Sequence, residues 1–115
     1  MRNMSFMLTT SQIENRTKTV TRRLGWYFLK PGDLVMACQQ CQGLRKGEKV
    51  RKITAIRILN TRWEPLNAIT QEDLVREGFP DWLWTPPQFI EMFCKHNHCE
   101  PDTLVNRIEF EYVED

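Results

Sequence analysis

The sequence predicts an α+β fold, a small mixed β-barrel that carries two or three short helices at its rim. Five segments have strand patterns, and most of them follow one another through short turns, which favours a curled sheet over a doubly wound one. The segments between them begin with residues typical of helix N-termini. The expected order is strand, helix, strand, strand, long strand, helix, helix and strand. At 115 residues the chain is long enough for one modest core, so we expect residues 1–115 to form a single domain.

The N-terminal part predicts a strand, a short helix and a second strand. Residues 4–8 place apolar side chains at every second position, which is typical of a strand. In TTSQIENR, residues 9–16, Thr9 and Gln12 have the spacing of a capping box and predict a brief helix. TKTVTRR, residues 17–23, is rich in β-branched side chains and predicts the next strand.

The middle of the chain predicts two strands joined by a loop. Pro31-Gly32 is typical of a turn, and a buried strand is expected over residues 33–37. Residues 43–47 begin and end with glycine and predict a hairpin-like loop. VRKITAIRIL, residues 50–59, alternates strictly and has apolar side chains on both faces. We therefore expect a long strand that is partly covered on each side.

The clearest local signal is a helix start at Thr70. Thr70 is expected to cap the helix and Asp73 to reach back to it, while Ile69 contacts Leu74 across the first turn. Gly78 is expected to end this helix immediately after Glu77.

The C-terminal part predicts an aromatic loop, a longer helix and a closing strand. The loop is FPDWLWTPPQ, residues 79–88, and the helix begins at its end, where Thr85-Pro86-Pro87-Gln88 places proline at the first helical position. Phe89, Ile90, Phe93 and Cys94 then fall on one helical stripe, which indicates core packing. LVNRIEFEYV forms the closing strand, and the residues expected to point inward are Val105, Ile108, Phe110 and Tyr112.

Composition argues against several classes of protein. With 41% hydrophobic and 27% charged residues, the chain is typical of an ordered globular protein rather than a disordered one. No apolar run has the length of a membrane span, and MRNMSFMLTT lacks the continuous apolar core of a signal peptide. We therefore expect a cytoplasmic protein that has no membrane partner.

A formal net charge of +1 conceals an uneven distribution of charge. Residues 1–62 carry 13 basic and three acidic side chains, whereas residues 63–115 carry three basic and twelve acidic ones. One interpretation is that the two halves attract each other in the folded chain. The other is a basic face for a polyanion such as RNA.

The stretch TKTVTRR also predicts chemistry. A threonine hydroxyl becomes a nucleophile when a base removes its proton, and nearby cations lower the pKa of a lysine that could serve as this base. Lys18 and Thr21 have these residue types, Arg22 and Arg23 supply the cations, and Glu77 is a candidate carboxylate partner. Because positions three apart in a strand face opposite ways, Lys18 and Thr21 converge only if Lys18 precedes the strand or the strand is bulged. An ordinary basic edge strand is the alternative.

Two further groups of residues are candidates for binding. Cys38 and Cys41 have the spacing of a zinc knuckle, and Cys94 and Cys99, with two histidines between them, offer a second ligand pair. A structural Zn²⁺ held by these four cysteines and a set of free thiols are both open, and no cofactor is required by the predicted chemistry. Tryptophans near a basic strand stack on bases or pack in the core, and the candidates for stacking are Trp26, Trp82 and Trp84.

Glu72, Asp73 and Glu77 are the clustered carboxylates that a metal-dependent nuclease would need. Their arrangement on one short helix is more typical of a solvated face.

The segments TKTVTRRLGW, LKPGDLV, LNAITQEDLVREGF and VNRIEFEY, in this order and spacing, resemble the ASCH domain family. This family is a branch of the PUA-like superfamily of small β-barrels. The resemblance covers nearly the whole chain and points in particular to the short ASCH proteins of phages and prophages. It implies a PUA-like fold and a role directed at a nucleoside or RNA. The added segment PDWLWTPPQFIEMFCKHNHC departs from the pattern and is expected to cover the mouth of the barrel.

Small bacterial ASCH proteins are amidohydrolases that remove the acetyl group from N(4)-acetylcytidine with a lysine, a threonine three residues later and a distant glutamate. By motif, the resemblance implies catalytic roles for Lys18, Thr21 and Glu77, with Glu72 or Asp73 as the alternative acid. Arg23 matches a basic residue of the same strand in the family, and we expect Arg22, Arg23 and Trp26 to bind the substrate. The alternative function is a non-catalytic RNA-binding module of phage origin.

Overall fold

The computed structural model describes residues 1–41, 43–80 and 82–114. Gln42, which follows the predicted zinc ligand Cys41, and Asp81, which belongs to the predicted aromatic loop, lie outside these residues. The elements follow the predicted order, with short 3₁₀ turns at Met7–Thr9 and Leu66–Ala68. They are β1 (Arg2–Ser5), α1 (Thr10–Glu14), β2 (Val20–Arg23), β3 (Leu34–Cys38), β4 (Lys52–Pro65), α2 (Gln71–Arg76), α3 (Pro86–Asn97) and β5 (Leu104–Tyr112).

The five strands form one mixed sheet in the order β1-β3-β4-β5-β2. β1 and β3 run parallel, and the other neighbouring strands run antiparallel. The register shifts between Ala37 and Cys38 and between Ile58 and Asn60, and such bulges bend a sheet. The sheet curls strongly into a half-barrel accompanied by three short helices, which confirms the predicted fold class.

Two apolar clusters hold this arrangement together. The first joins β1, α1, β3, β4 and β5, and its members include Met4, Phe6, Ile13, Val35, Ile56, Ile58, Ile108 and Phe110. The second packs α2 and α3 against the start of β5, and its members are Leu66, Ile69, Leu74, Phe79, Phe89, Phe93 and Val105. The apolar stripe predicted for α3 is therefore confirmed as core.

The helix starts agree only in part with the predicted caps. Thr70 accepts a hydrogen bond from the Asp73 N–H at 3.1 Å, as expected. The reciprocal half of that box is wrong, because both carboxylate oxygens of Asp73 accept from arginines instead. The Thr9 capping box is also wrong, since a 3₁₀ turn runs directly into α1 and Thr9 makes no side-chain cap. At the start of α3, the Gln88 side-chain oxygen accepts a hydrogen bond from the Thr85 N–H at 2.9 Å, as predicted.

The segment TKTVTRR becomes a strand only at Val20. Before it, the Lys18 N–H donates to the Gln12 carbonyl at 3.2 Å and the Thr19 N–H donates to the Arg76 carbonyl at 2.8 Å. Lys18 is thus fixed between α1 and the end of α2, ahead of the strand that carries Thr21. β4 also runs beyond its predicted end, to Pro65.

Among the described residues, no helix combines the length and the apolar character needed to cross a membrane.

Candidate active site

A cavity of about 270 Å³ lies between β2, the turn after β1, the end of α2 and α3. One part of its wall is polar and is formed by Lys18, Thr21, Arg22, Arg23 and Glu77. The other part is apolar and contains Phe6, Trp26, Phe79, Phe89, Met92 and Phe93, with His96 and Asn97 at the edge. The folded chain therefore brings all of the predicted catalytic and substrate-binding residues to one cavity.

Lys18 and Glu77 form a buried ion pair. The Lys18 Nζ donates to Glu77 Oε1 at 2.6 Å and to the Glu77 carbonyl at 2.8 Å, and neither side chain is more than 3% exposed. Burial lowers the pKa of Lys18, Glu77 opposes this effect, and the charges of Arg23 and Arg22 add to it. Tyr112 fixes the backbone of this segment, since its hydroxyl donates to the Lys18 carbonyl.

Thr21 and Arg23 lie on the same face of β2 because side chains alternate along a strand. The Arg23 Nε donates to Thr21 Oγ1 at 3.2 Å, and the guanidinium lies 4.6 Å from the centre of the Phe6 ring. Burial lowers the pKa of Arg23 to about 10. In the described part of the chain, the terminal nitrogens of Arg23 have no hydrogen-bond partner, so they are available to a ligand.

Arg22 is held by carboxylates. It donates to Glu77 Oε2 at 3.0 Å, to Glu64 at 3.1 Å and to Asp73, and its side chain is fully buried. Burial works against its charge, but the contacts to Glu77 and Asp73 outweigh this effect and raise the pKa of Arg22. Its Nε is buried without a partner among the described residues. Arg22 therefore orients Glu77, which in turn contacts Lys18.

Asp73 and Arg107 extend this network, and sequence reasoning missed Arg107. The Arg107 guanidinium binds Asp73 through two hydrogen bonds of 2.6 and 2.8 Å, and Arg76 adds a third at 3.0 Å. The Arg107 contact is the main reason why the pKa of Asp73 lies well below its ordinary value. The sequence does indicate that Asp73 and Glu77 lie close together, because they are four residues apart and such residues fall on the same face of a helix.

The three acids near α2 have different surroundings. The Glu72 side chain is 85% exposed, Asp73 is turned toward arginines, and Glu77 alone of the three contacts Lys18. The prediction of a solvated acidic face is therefore wrong for Asp73 and Glu77, which are buried. Neither carboxylate takes part in a metal-binding cluster, because the described residues contain no group of three or more His, Cys, Asp or Glu placed to hold an ion.

The four cysteines are free thiols that lie in two separate pairs, Cys38 with Cys41 and Cys94 with Cys99. Cys38 ends β3 and is buried, while Cys94 and Cys99 pack against the second apolar cluster near the end of α3. Within residues 1–41, 43–80 and 82–114, the predicted site of Cys38, Cys41, Cys94 and Cys99 is not assembled. Burial raises the pKa of Cys38 to about 11, which favours the protonated thiol.

Trp26 lines the cavity and has an unusual backbone. It has a φ of 59°, and its carbonyl accepts from Asn106 Nδ2 at 3.1 Å. Of the other candidates for stacking, Trp84 packs on Phe79 with ring centres 4.8 Å apart, whereas Trp82 is 77% exposed. Trp26 is thus the tryptophan that reaches the cavity.

No protein-family model and no curated protein matches this chain. Solved structures do match it, among them the ASCH domain of Lactobacillus crispatus JV V101, with a TM-score of 0.64, 14% identity and coverage of 96% of this chain and 78% of that one. The chain has an ASCH-type, PUA-like fold. Protein EF3133 of Enterococcus faecalis V583, from family DUF984, matches with a TM-score of 0.59 and 19% identity over 86% of this chain. The chain spans 63% of that protein's length.

The hypothetical protein PH0355 also matches, with a TM-score of 0.57, 16% identity and coverage of 97% of this chain and 96% of that one. At these identities the comparisons establish the fold alone.

Within this ASCH-type fold, the basic and acidic parts of the sequence meet in ion pairs. Arg16 pairs with Glu114 at 2.6 Å, and Arg57 pairs with Glu111 at 3.0 Å, in addition to the buried pairs around Glu77. Ion pairs between the basic and acidic parts of the sequence therefore neutralise part of the unevenly distributed charge. The exposed side chains of Arg45, Lys46, Lys49 and Lys52 form no ion pair within the described residues, and they remain available to a polyanion.

Proposed function

We propose that this protein is an amidohydrolase that cleaves the acetyl group from N(4)-acetylcytidine to give cytidine and acetate. The observation that carries the proposal is the buried Lys18–Glu77 pair, which shares one cavity with Thr21 and Arg23. A buried lysine of lowered pKa and a hydroxyl that lines the same cavity supply the base and the nucleophile that acyl transfer needs.

The first chemical step is attack on the amide. The reacting form is the one in which Lys18 has lost the proton of its ion pair to solvent, which its lowered pKa favours. Thr21 Oγ1 then bonds to the acetyl carbon while its proton passes to the neutral amine of Lys18. The free nitrogens of Arg23 stabilise the charge that develops on the carbonyl oxygen, because they are oriented before the reaction begins. Glu77 holds the Lys18 amine in place and stabilises it once it is protonated.

Collapse of this intermediate breaks the bond between the acetyl carbon and N4. The Lys18 ammonium returns its proton to the departing N4, so cytidine leaves with its amino group and Thr21 carries the acetyl ester. A water molecule, deprotonated by Lys18, then attacks the ester carbon. The bond from that carbon to Thr21 Oγ1 breaks, Lys18 returns the proton to Oγ1, and acetate leaves. The apolar wall, which includes Phe79 and Phe89, faces the base and excludes bulk water.

The test is turnover of N(4)-acetylcytidine, followed by the change in ultraviolet absorbance. We expect Lys18→Met to lower kcat/KM by about 100-fold or more. Lys52→Met removes an exposed lysine that does not line the cavity and serves as the matched control. Thermal unfolding of each variant separates loss of chemistry from loss of fold. Absence of turnover by the wild-type protein would contradict the proposal.

Direct attack by water, activated by Lys18 or Glu77, is the competing route. Thr21→Val distinguishes the two, because it keeps the volume of the side chain and removes the hydroxyl. In the covalent route, we expect Thr21→Val to be inactive and acid-quenched wild-type enzyme to gain the mass of one acetyl group. Full activity of Thr21→Val would assign the attack to water.

A non-catalytic RNA-binding module, of phage origin, is the second candidate function. It is favoured by four exposed cations that form no ion pair within the described residues, Arg45, Lys46, Lys49 and Lys52. It predicts salt-dependent RNA binding that weakens on Lys49→Ala, with no turnover of the nucleoside by any variant.

A further inference from the structure

The loop that follows β2 exposes aromatic rings at the edge of the cavity. Trp26 lines the cavity, and its neighbours Tyr27 and Phe28 are 70% and 50% exposed. The backbone is left-handed at both Gly25 and Trp26, with φ of 91° and 59°. Left-handed geometry is unfavourable for a bulky residue such as tryptophan, and such positions cluster at ligand sites.

Tyr27 is stacked on Trp63 of β4. Their ring centres are 4.8 Å apart and the planes differ by 22°, yet Trp63 remains 49% exposed. Tyr27 and Trp63 together form the aromatic platform. A stacked pair that still exposes half of its indole presents a flat apolar surface to an outside partner.

The sheet register places this platform on the cavity side. Arg23 pairs with Asn106 across β2 and β5, and Asn106 pairs with Trp63 across β5 and β4. Directly paired residues share one face of a sheet, so Trp63 lies on the same face as Arg23. Two strand spacings, about 10 Å, separate their backbones.

Two cations belong to the neighbourhood of the exposed aromatic loop, one over a ring and one next in the sequence. The Arg2 guanidinium lies 4.5 Å from the centre of the Phe28 ring, and Lys30 follows the loop. Neither side chain forms an ion pair within the described residues. Flat aromatic surfaces next to unpaired cations fit a single-stranded polynucleotide, whose bases stack and whose phosphates are anionic.

We propose that the aromatic platform stacks the base adjacent to the one held in the cavity, so that the substrate is a nucleotide within single-stranded RNA. This inference rests on the proposed function, which places the reacting base beside Lys18 and Thr21. The ring of Tyr27 or Trp63 contacts the neighbouring base, and Arg2 and Lys30 contact phosphates.

The kinetic test compares the nucleoside N(4)-acetylcytidine with a pentaribonucleotide that carries this base at its centre. We expect wild-type KM to be at least about fivefold lower for the pentaribonucleotide, since stacking of one base contributes roughly 5- to 150-fold in affinity. Trp63→Ala and Trp63→Leu should remove this difference and leave kcat and KM for the nucleoside unchanged. Trp82→Ala is the control, because Trp82 is also exposed to solvent, at 77% against 49% for Trp63, but does not line the cavity or join the platform.

A binding test separates this inference from the proposed activity. Fluorescence anisotropy with a labelled, unacetylated pentaribonucleotide needs no turnover, and we expect weaker binding by Trp63→Leu than by Trp82→Ala. If the nucleoside is not hydrolysed but RNA binding depends on Trp63, the amidohydrolase proposal fails and the stacking site stands. Equal binding by the two variants, tighter binding of the matching DNA strand, or no binding of RNA by the wild type would overturn the inference.

Discussion

Replacing Asp73 with asparagine tests the charge network behind the cavity. Asp73 is 4% exposed and is the shared acceptor for Arg22, Arg76 and Arg107. Asparagine has nearly the same shape but carries no charge and accepts through one oxygen only. The variant therefore keeps the packing and leaves Arg22 and Arg107 buried beside a neutral group.

The cost follows from that burial. Removing one partner of a buried ion pair typically costs about 3–5 kcal/mol, because the remaining charge stays desolvated without compensation. Glu64 and Glu77 still neutralise part of the Arg22 charge, so we expect a value near the lower end, about 3 kcal/mol. Glu72→Gln is the matched control: its side chain is 85% exposed and contacts Arg76 only at 3.9 Å, so about 0.5 kcal/mol or less is expected.

Urea unfolding at two pH values measures this difference. The pKa of Asp73 in the folded chain lies below its ordinary value of 3.8, so its stabilising effect is complete above about pH 4 and is lost as the pH falls through the folded pKa. The stability gap between wild type and Asp73→Asn should therefore be full at neutral pH and narrow below about pH 4. A gap under about 1 kcal/mol at neutral pH, or one that does not change with acidity, would refute the reasoning.

Three other predictions concern the segment that holds Lys18. Gly78→Ala should lower the free energy of unfolding by about 2 kcal/mol or more, since φ is 99° and the added Cβ would lie 2.7 Å from Gln12 Cγ. Gly47→Ala is the control in the same unfolding assay. Its φ is 89° but its Cβ would meet open space, so a loss of about 1 kcal/mol is expected. Tyr112→Phe removes the hydrogen bond to the Lys18 carbonyl and should lower the free energy of unfolding by about 1 kcal/mol, and no change would show that this bond does not contribute. If Lys18 is the base, kcat/KM should rise with pH through a midpoint below the ordinary lysine value of 10.5, because burial lowers its pKa; a rise only above that value would contradict this.

The order of the elements was predictable because each one carries a strong local signal. Strict alternation marks β4, the Thr70 cap marks α2, and Gly78 with φ of 99° marks the end of that helix. Strand ends were less predictable. The extension of β4 to Pro65 depends on pairing with β5, where Pro65 lies opposite Leu104, and a local pattern does not contain that contact.

The predicted capping box of α2 failed in its reciprocal half because tertiary contacts competed with the local one. Asp73 has the right spacing for a reciprocal capping box, but two buried guanidinium groups bind its carboxylate more strongly than one backbone N–H would. Both partners come from distant strands, Arg22 from β2 and Arg107 from β5. Their meeting at Asp73 is a property of the fold and has no signal in the local sequence.

The cations in TKTVTRR have three different environments, which a single interpretation of the stretch does not capture. Lys18 precedes the strand and meets Glu77, Arg22 turns to the buried carboxylates, and Arg23 shares the opposite face of β2 with Thr21. Alternation along β2 separates the two arginines, so one cation organises the acids while the other keeps free donors at the cavity. Arg22→Met should therefore lower stability strongly, whereas Arg23→Met should lower kcat/KM with a smaller effect on unfolding. Equal loss of stability in the two variants would contradict this division of roles.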